Sequence, residues 1–240
     1  MCGRYALYGP KSRKIRDTLE FHGAAIAFAR HYNLAPTQAL PVYCMDAAHG
    51  GRLVLMRWGL VPAWARDPAI GARLNNARAE SVAEKPSFRA AYRHRRCLVP
   101  MNGFYEWQRR GARKLPYFVQ MRDGEMFAVA GLYEYWPGNA TAPPLTTFTV
   151  LTTEANALVQ PIHDRMPVIV PPAAYEAWLD PRNDHARGLE SLLQPYPPEA
   201  MRAHPVSSRV NSVCDDDAAL LDAEPVSAIL ESTPHQGQLL

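Results

Sequence analysis

The chain has 240 residues, of which 48% are hydrophobic and 20% are charged, and these values exclude a disordered or collagen-like protein. Its 22 prolines and 14 glycines are scattered along the chain, which favours short elements joined by fixed turns over a helical bundle. The net charge is only +3, yet residues 1–122 carry 21 basic and 7 acidic residues, whereas the remainder carries 5 and 16. Because 22 of the 26 basic residues are arginine, this asymmetry indicates contact with nucleic acid. The alternative is a solvated surface on which the two halves neutralise one another.

The spacing of apolar residues and turn residues predicts a series of short elements. In chain order they are helices at 11–21 and 24–30, a strand at 52–60, a helix at 84–93, strands at 97–100, 103–107, 116–120, 126–132 and 146–152, a helix at 154–159, a strand at 166–170, helices at 173–179 and 186–193, and a last short strand or loop from Val206. The dipeptide Asp123-Gly124 can adopt the positive φ that a tight turn needs, which predicts a hairpin within a β-meander. The pattern is α+β with mostly antiparallel strands. We expect one domain over residues 2–225 and a flexible tail over 226–240.

The cysteines and the N-terminal segment indicate the compartment. The four cysteines form no CxxC pair and no cluster with zinc spacing, so neither a metal site nor a cofactor is predicted. The N-terminus lacks the apolar region of a signal peptide, and no apolar run approaches the roughly 18 residues of a membrane span. We therefore expect a cytoplasmic protein with reduced thiols.

Cys2 has distinctive chemistry, because removal of Met1 would leave a free thiol and a free α-amine on one residue. Such an amine titrates at about pH 8 and such a thiol at about 8.5, so neutral amine and thiolate would coexist near neutral pH. The amine can add to an aldehyde to give a Schiff base, and the thiolate can close on the imine carbon to give a thiazolidine. Acyl transfer, in which the thiolate attacks an amide, is the alternative chemistry. An incidental buried cysteine is the alternative without chemistry.

Three further segments contain residues suited to proton transfer or hydrogen bonding. Glu106 stands between two aromatic residues, where desolvation would raise its pKa as a general acid/base requires, unless strand alternation points it to solvent. His163 stands beside an aspartate and an arginine and can exchange protons near neutral pH, or serve as a structural histidine. Asn76 and Arg78 offer a neutral amide and a phosphate-binding fork, although residues 75–80 also fit a turn and a helix start.

Seven motifs occur in order between residue 2 and about residue 215. They are Cys2-Gly3-Arg4-Tyr5, Arg57-Trp58-Gly59-Leu60-Val61-Pro62 with Trp64, Asn76-Ala77-Arg78-Ala79-Glu80, Lys85-Pro86-Ser87-Phe88, Cys97-Leu98-Val99-Pro100, Gly103-Phe104-Tyr105-Glu106-Trp107 and His163-Asp164-Arg165-Met166-Pro167. Together they resemble the SOS response-associated peptidase family, the abasic-site processing proteins. The resemblance implies a single α+β domain with an antiparallel β-barrel-like core flanked by short helices. It also implies a protein that binds single-stranded DNA containing abasic sites and captures their ring-opened aldehyde as a thiazolidine. A monomer is the default expectation.

The resemblance also implies a role for each matching residue. Cys2 is the nucleophile, Asn76 steadies the reacting amine and sugar, Glu106 helps to open the sugar ring, and His163 assists proton transfer in ring opening and in reversal. Phosphate and sugar anchors are Arg4, Arg78 and Arg165, and residues that stack on or shape the DNA are Trp58, Trp64 and Trp107. Asn76 is chosen over Asn75 because the family pattern is Asn-Ala-Arg.

Two other functions fit the same residues. The protein can be a thiol autopeptidase in which Cys2 removes Met1, and cleavage of other peptides is the extension of that activity. It can also be a noncatalytic DNA-binding module. The sequence leaves open whether the basic residues at 109, 110, 113 and 114 contact DNA or face solvent in a loop.

Overall fold

The computed structural model describes residues 2–9, 18–46, 50–183, 186 and 188–232. Within these residues the chain forms fifteen strands and three short α-helices. The strands are β1 Tyr5–Leu7, β2 Thr18–Phe21, β3 Ala24–Ala27, β4 His31–Leu34, β5 Ala39–Asp46, β6 Gly50–Trp58, β7 Asn76–Arg78, β8 Arg96–Met101, β9 Gly103–Arg110, β10 Arg113–Met121, β11 Phe127–Trp136, β12 Leu145–Glu154, β13 Arg165–Pro167, β14 Ile169–Val170 and β15 Met201–Pro205. The helices are α1 Arg89–His94, α2 Tyr175–Leu179 and α3 Val226–Ser232.

Five strands close into a barrel in the order β12, β6, β5, β8, β11 and back to β12. The pairings are antiparallel except at the β6–β12 seam, where Trp58 lies opposite Phe148 in a parallel register. β8 is buried along its whole length, and apolar side chains of the barrel strands form the main core. β7 and β13 extend the barrel at β12, and β14 extends it at β11. The predicted α+β fold with a barrel-like core is confirmed.

A second sheet has the strand order β15-β10-β9-β1-β4. Its own small core gathers residues far apart in the chain: Ala6, Tyr105, Phe118, Val206, Val210 and Leu220. The sheet matters for function because β1 and β9 are neighbours in it, so the N-terminal segment lies beside the middle of the chain.

The two helices predicted at 11–21 and 24–30 are wrong for the described residues. β2 and β3 form an antiparallel hairpin, and residues 11–17 lie outside the described part. His22 and Gly23 join the strands with φ of 48° and 80°, which is the positive-φ backbone of a two-residue hairpin turn. Along β3 half-buried and exposed residues alternate, as in a strand with one covered face. The turn and this period-two burial override the helical spacing.

The hairpin predicted around Asp123-Gly124 is also wrong, although both of its strands exist. β10 pairs with β9 and β15, whereas β11 pairs with β8, β12 and β14. Gly124 does adopt the positive φ of a turn, at 71°. This turn carries the chain from one sheet to the other, so a local turn signal does not determine which strands pair.

The remaining elements are confirmed or adjusted. Strands form as predicted at 52–60, 97–107 and 146–152. The predicted helix at 154–159 is a series of turns, since the Asn156 Oδ1 accepts hydrogen bonds from the backbone N–H groups of Leu158 and Val159.

Boundaries shift in the later elements. The predicted helix at 84–93 begins only at Arg89, the helix at 173–179 is a 3₁₀ turn followed by α2, and the strand at 166–170 is split at Val168. Of the predicted helix at 186–193 the structure describes a 3₁₀ turn at Glu190–Leu193, and residues 184, 185 and 187 lie outside the described part. Val206 makes an isolated bridge to Ala223. The tail prediction covers α3, in which Ile229 is buried, and residues 233–240, which are not described.

Two features are absent from the described ranges: a membrane-spanning helix and a metal-binding cluster. No helix there is long and apolar enough to cross a membrane. The same ranges hold no group of three or more His, Cys, Asp or Glu side chains arranged to bind a metal ion.

Candidate functional site

Pairing of β1 with β9 brings Cys2 beside Glu106. Tyr5 lies opposite Phe104, and the Tyr105 backbone N–H donates to the Arg4 carbonyl at 2.9 Å. In this antiparallel register the residues that precede β1 run alongside Glu106. Cys2 is fully buried and Glu106 is only 2% exposed. Glu106 therefore faces the interior rather than solvent.

Asn76 connects the barrel to the N-terminal segment. Its Nδ2 donates to the Cys2 carbonyl oxygen at 2.8 Å, and β7 holds it opposite Val150 in a parallel pairing with β12. The carbonyl of Asn75 accepts a hydrogen bond from Trp58 Nε1 at 2.8 Å, which fixes the preceding residue. The side chain of Asn76, rather than that of Asn75, thus contacts Cys2, in support of the choice made from the motif.

The surroundings of Cys2 disfavour the thiolate. Burial raises the pKa of the thiol to about 12, and the nearby Glu106 carboxylate adds to the rise. A hydrogen bond from the Arg4 backbone N–H acts in the opposite direction. In the chain that retains Met1, desolvation therefore outweighs the contacts that favour the thiolate. The expectation of coexisting thiolate and neutral amine concerns the chain without Met1 and stays a prediction.

Glu106 and His163 lie close enough to interact electrostatically beside this thiol. Burial raises the pKa of Glu106, and the positive charge of His163 opposes the rise. His163 is 27% exposed, and its Nδ1 accepts a hydrogen bond from the Arg165 backbone N–H at 3.0 Å. In the neutral ring this contact assigns the proton to Nε2, whereas a protonated Nδ1 faces the Asp164 carboxylate at 3.0 Å. The pair has access to solvent through His163.

The three predicted arginine anchors are held differently. Arg165 binds both carboxylate oxygens of Glu80, at 2.8 and 2.9 Å, and donates to the Thr152 carbonyl at 2.6 Å. Arg4 donates through Nη1 to Asn33 Oδ1 at 2.8 Å and to the Val210 carbonyl at 2.7 Å. Arg78 is exposed at the end of β7. Without DNA, the fork of Arg165 is thus occupied by a carboxylate, and a phosphate would compete with Glu80.

The three tryptophans separate by burial. Trp58 is fully buried, with its ring centroid 5.3 Å from that of Tyr5 and 6.1 Å from that of Phe148. The buried ring of Trp58 offers no exposed face for stacking, and its indole supports Asn75. Its predicted role in shaping the DNA site stays a prediction. Trp64 is 61% exposed at a cavity of about 590 Å³ that is also lined by arginines. Trp107 is half-buried and donates through Nε1 to Asn211 Oδ1 at 2.8 Å.

Sequence reasoning missed several buried polar atoms near these residues. The Tyr5 hydroxyl, Asn76 Oδ1 and the Thr149 and Thr152 hydroxyls are buried and have no hydrogen-bond partner among the described residues. The charge of Cys2 contributes to the raised pKa of Tyr5, which places that phenol close to the thiol. Tyr5 belongs to the Cys2-Gly3-Arg4-Tyr5 motif. Its position three residues after Cys2 was the signal in the sequence that could have placed it near the thiol. The threonines were recognised only as part of a strand.

A protein family model and named relatives match most of this chain. A family model described as SOS response associated peptidase (SRAP) matches residues 1–213. The abasic site processing protein YoaM of Bacillus subtilis is 42% identical, with 93% of this chain and 99% of that protein covered. The abasic site processing protein HMCES of Gallus gallus is 34% identical, over 77% of this chain and 63% of that protein.

Solved structures agree with these sequence matches. A crystal structure of a protein from Bacteroides thetaiotaomicron superposes with a TM-score of 0.73 and 31% identity, covering 81% of this chain and 85% of that one. A protein from Bordetella bronchiseptica superposes with a TM-score of 0.68 and 25% identity, over 86% of this chain and all of that one. The resemblance inferred from the motifs is confirmed, and the chain belongs to the SOS response associated peptidase (SRAP) family.

Proposed function

We propose that this protein processes abasic sites by capturing their aldehyde on Cys2, in single-stranded DNA, as a covalent thiazolidine. The names of the curated relatives supply the substrate class. The observation that carries the proposal is the position of Cys2, which is fully buried, hydrogen-bonded to Asn76 and close to Glu106. A residue so near the chain end is ordinarily frayed, so this burial indicates a dedicated site.

The scheme consumes one water in a cleavage step and releases one water in the capture step. Hydrolysis of the Met1–Cys2 bond first frees the α-amine. The amine nitrogen adds to the aldehyde carbon, and loss of water gives an imine. The Cys2 sulfur then adds to the imine carbon, and the thiol proton goes to the imine nitrogen. In this scheme the amine reacts first, and the thiol loses its proton during ring closure, an order that suits a buried thiol whose pKa is raised.

Glu106 and His163 supply the proton transfers in this scheme. The raised pKa of Glu106 favours its protonated form relative to that of an exposed carboxyl, and in that form it can protonate the sugar oxygen on ring opening and the hydroxyl that leaves as water. As a carboxylate it then takes the proton from the thiol and passes it to the imine nitrogen. His163, partly exposed, exchanges the proton with solvent. Asn76 holds the Cys2 main chain so that the amine and thiol present a fixed geometry.

The DNA would lie over the exposed groups around this cluster. Arg78 and Arg165 bind the phosphates that flank the abasic site, and Trp64 and Trp107 offer stacking surfaces. Arg4 stabilises the N-terminal segment of the site through its hydrogen bonds to Asn33 and Val210. The proposal describes a monomeric cytoplasmic protein, where reducing conditions keep Cys2 a free thiol.

A second candidate, removal of Met1 by Cys2 itself, is favoured by the burial of Cys2. Burial of Cys2 places its thiol inside the folded chain, next to the bond that would be cleaved. Self-cleavage would leave the amine that the capture reaction requires. Intact mass of protein made in cells without methionine aminopeptidase activity tests this candidate. Loss of Met1 supports it, and complete retention of Met1 contradicts it.

Mixing the protein with single-stranded DNA that carries one abasic site tests the main proposal. We expect a shifted band that survives heating on a denaturing gel for the wild type and no such band for Cys2→Ala. Cys214→Ala is the matched control, because it removes the exposed free thiol and should cross-link like the wild type. A Cys2→Ala protein that cross-links equally would contradict capture by Cys2. A Cys2→Ala protein that binds and protects the strand fully would favour a noncatalytic module.

A further inference from the structure

The tip of the β9–β10 hairpin carries basic residues that the proposed chemistry does not use. Gly111 and Ala112 form the turn, with φ of 60° at Gly111. The antiparallel register places Arg109 directly opposite Lys114 and Arg110 directly opposite Arg113. Like charges opposite one another destabilise a strand pair. The hairpin therefore holds two repulsive pairs in four residues.

These charges lack acidic partners within the described part of the chain. Arg109, Arg110 and Lys114 are exposed, and none of the three makes an ion pair there. Arg110 Nε donates instead to the neutral Gln108 Oε1 at 2.8 Å. Arg113 differs, since its Nη1 donates to the Leu230 carbonyl of α3. Three uncompensated cations thus remain available to an anionic partner.

The hairpin is continuous with the wall of the candidate site. Glu106 lies on the same strand as Arg109 and Arg110, and a strand advances about 3.3 Å per residue, so the two arginines are about 10 and 13 Å from Glu106 along it. Gln108 Nε2 donates to the Pro161 carbonyl at 2.9 Å, which ties the hairpin to the segment that precedes His163. Because side chains alternate along a strand, Arg110 shares the face of Glu106, whereas Arg109 and the opposed Lys114 share the face of Trp107. The cations therefore extend both the face of the reacting groups and the face that carries the proposed stacking residue Trp107.

We propose that this hairpin tip binds phosphates of the captured DNA strand at a distance of about three to four nucleotides from the abasic site. A stacked strand advances about 3.4 Å per nucleotide along its helix axis, so three to four nucleotides span about 10 to 14 Å, which is the separation of the two arginines from Glu106. Phosphates would offset the repulsion between Arg109 and Lys114. The inference rests on the proposed function, because it takes the DNA strand bound at Cys2 as its ligand.

The test compares two variants that each lose two exposed cations. One is Arg109→Gln with Lys114→Gln, which removes one opposed pair. The matched control is Arg52→Gln with Arg182→Gln. Arg52 is exposed on β6, six residues and about 20 Å along the strand from Trp58. Arg182 lines a cavity together with Gly51, at the end of β6 that is distant from Trp58. The ligand is single-stranded DNA with a tetrahydrofuran abasic analogue, which has no aldehyde, so binding is measured at equilibrium by anisotropy at several salt concentrations.

Each lost phosphate contact lowers the slope of log K against log salt by about 0.7 for single strands, so we expect the hairpin variant to lose about 1.4. Its affinity for a strand with ten flanking nucleotides on each side should fall roughly tenfold at low salt, and the control should match the wild type. A strand with one flanking nucleotide on each side should bind both variants like the wild type. An unchanged slope for the hairpin variant on the long strand would overturn the proposal and leave an acidic protein as the partner. An equal loss on the short strand would overturn the stated distance.

Cross-linking of a short strand with a natural abasic site separates this inference from the proposed function. We expect both variants to cross-link it to the wild-type extent. Absence of a cross-link for the wild type would refute the capture reaction, whatever the binding slopes. Thermal unfolding checks the fold, and removal of an opposed like-charge pair should leave the unfolding midpoint of the hairpin variant at or above that of the wild type.

Discussion

Glu106 has its carboxyl group buried close to the Cys2 thiol, and burial raises the pKa of both groups. An ionised carboxylate in this position is unfavourable for folding unless a partner offsets its desolvation. Beside them the Tyr5 hydroxyl and Asn76 Oδ1 are buried without a hydrogen-bond partner among the described residues. Such a concentration of costly groups is typical of a functional site, where stability is lost in favour of chemistry.

Replacement of Glu106 by glutamine should stabilise the protein at neutral pH and impair the reaction. The folded pKa of Glu106 is raised above its ordinary value of 4.5, so the folded state binds more protons than the unfolded state between these two values. Wild-type stability therefore falls as the pH rises from about 4.5 through the folded pKa, and Glu106→Gln escapes that loss. Urea unfolding should show a more stable variant at pH 7 and no difference at pH 4. Cross-linking should slow by about a hundredfold or more.

Glu134 provides the control for this prediction. It is also buried, but it accepts a hydrogen bond from Arg95 at 2.6 Å, so Glu134→Gln should lower the free energy of unfolding at pH 7. A Glu106→Gln protein whose stability follows the wild type at both pH values would show that this carboxyl is not destabilised in the folded state.

The end of β6 fixes the loop that leads to Asn76. Gly59 follows this strand with φ of 119°, and a Cβ at this position would lie 2.5 Å from the Gly71 carbonyl oxygen. Leu60 donates through its backbone N–H to the Leu74 carbonyl at 3.1 Å. The close approach of these two segments places Asn75 within reach of the Trp58 indole, and Asn76 then meets Cys2.

Gly59→Ala should therefore destabilise the protein far more than Gly111→Ala. Both glycines have positive φ, but nothing lies within 4 Å of a Cβ built on Gly111. Backbone strain alone costs about 1 to 2 kcal/mol. The clash with Gly71 adds to this for Gly59→Ala, so its urea midpoint should be clearly lower than that of Gly111→Ala. Equal midpoints for the two variants would show that the segments around Gly59 and Gly71 separate without cost.

Local signals in the sequence predict some elements and fail for others for identifiable reasons. The apolar run at 52–60 correctly predicts a strand, but β6 spans Gly50–Trp58. It includes the two glycines expected to precede it, and it ends before Gly59, whose φ is 119°. Residues 24–27 carry a weak pattern that suits a helix as well as a strand, and the His22-Gly23 turn decides the outcome. Asp123-Gly124 does encode a turn, but long-range pairing sends the two strands to different sheets.

The candidate site shows the same division between local and long-range information. Residue chemistry alone singled out Cys2, Glu106 and His163, because their types and neighbours suit covalent and acid/base chemistry. Their proximity depends on the pairing of β1 with β9, across about a hundred residues, and no local pattern encodes it. The burial of Trp58 and the Arg165–Glu80 contact likewise depend on the assembled barrel.

At the scale of the whole molecule, the basic and acidic parts of the sequence form one structure. Both sheets combine strands from the first 122 residues with strands from the remainder, as the barrel pairing of β8 with β11 and the β10–β15 pairing show. The charge asymmetry is therefore not a division into two domains. Arg78 beside the site and the basic hairpin tip are positions where this basic character meets the proposed path of DNA.

Phosphate attraction should make capture of an abasic strand dependent on salt. Salt screens exposed charges, so the cross-linking rate should fall steeply between about 50 and 200 mM salt. The control is a small uncharged aldehyde, whose reaction with Cys2 should change little over the same range. A DNA cross-linking rate that is independent of salt would show that phosphate steering does not assist the reaction.

The mass of the cross-linked product tests the central claim most directly. We expect a product whose mass equals that of the protein without Met1 plus that of the abasic DNA, minus the mass of one water. This mass should not change after treatment with borohydride, because a thiazolidine has no imine to reduce. A product that gains two hydrogen atoms on this treatment would be an open imine. That result, or the absence of any product of this mass, would contradict thiazolidine capture by Cys2.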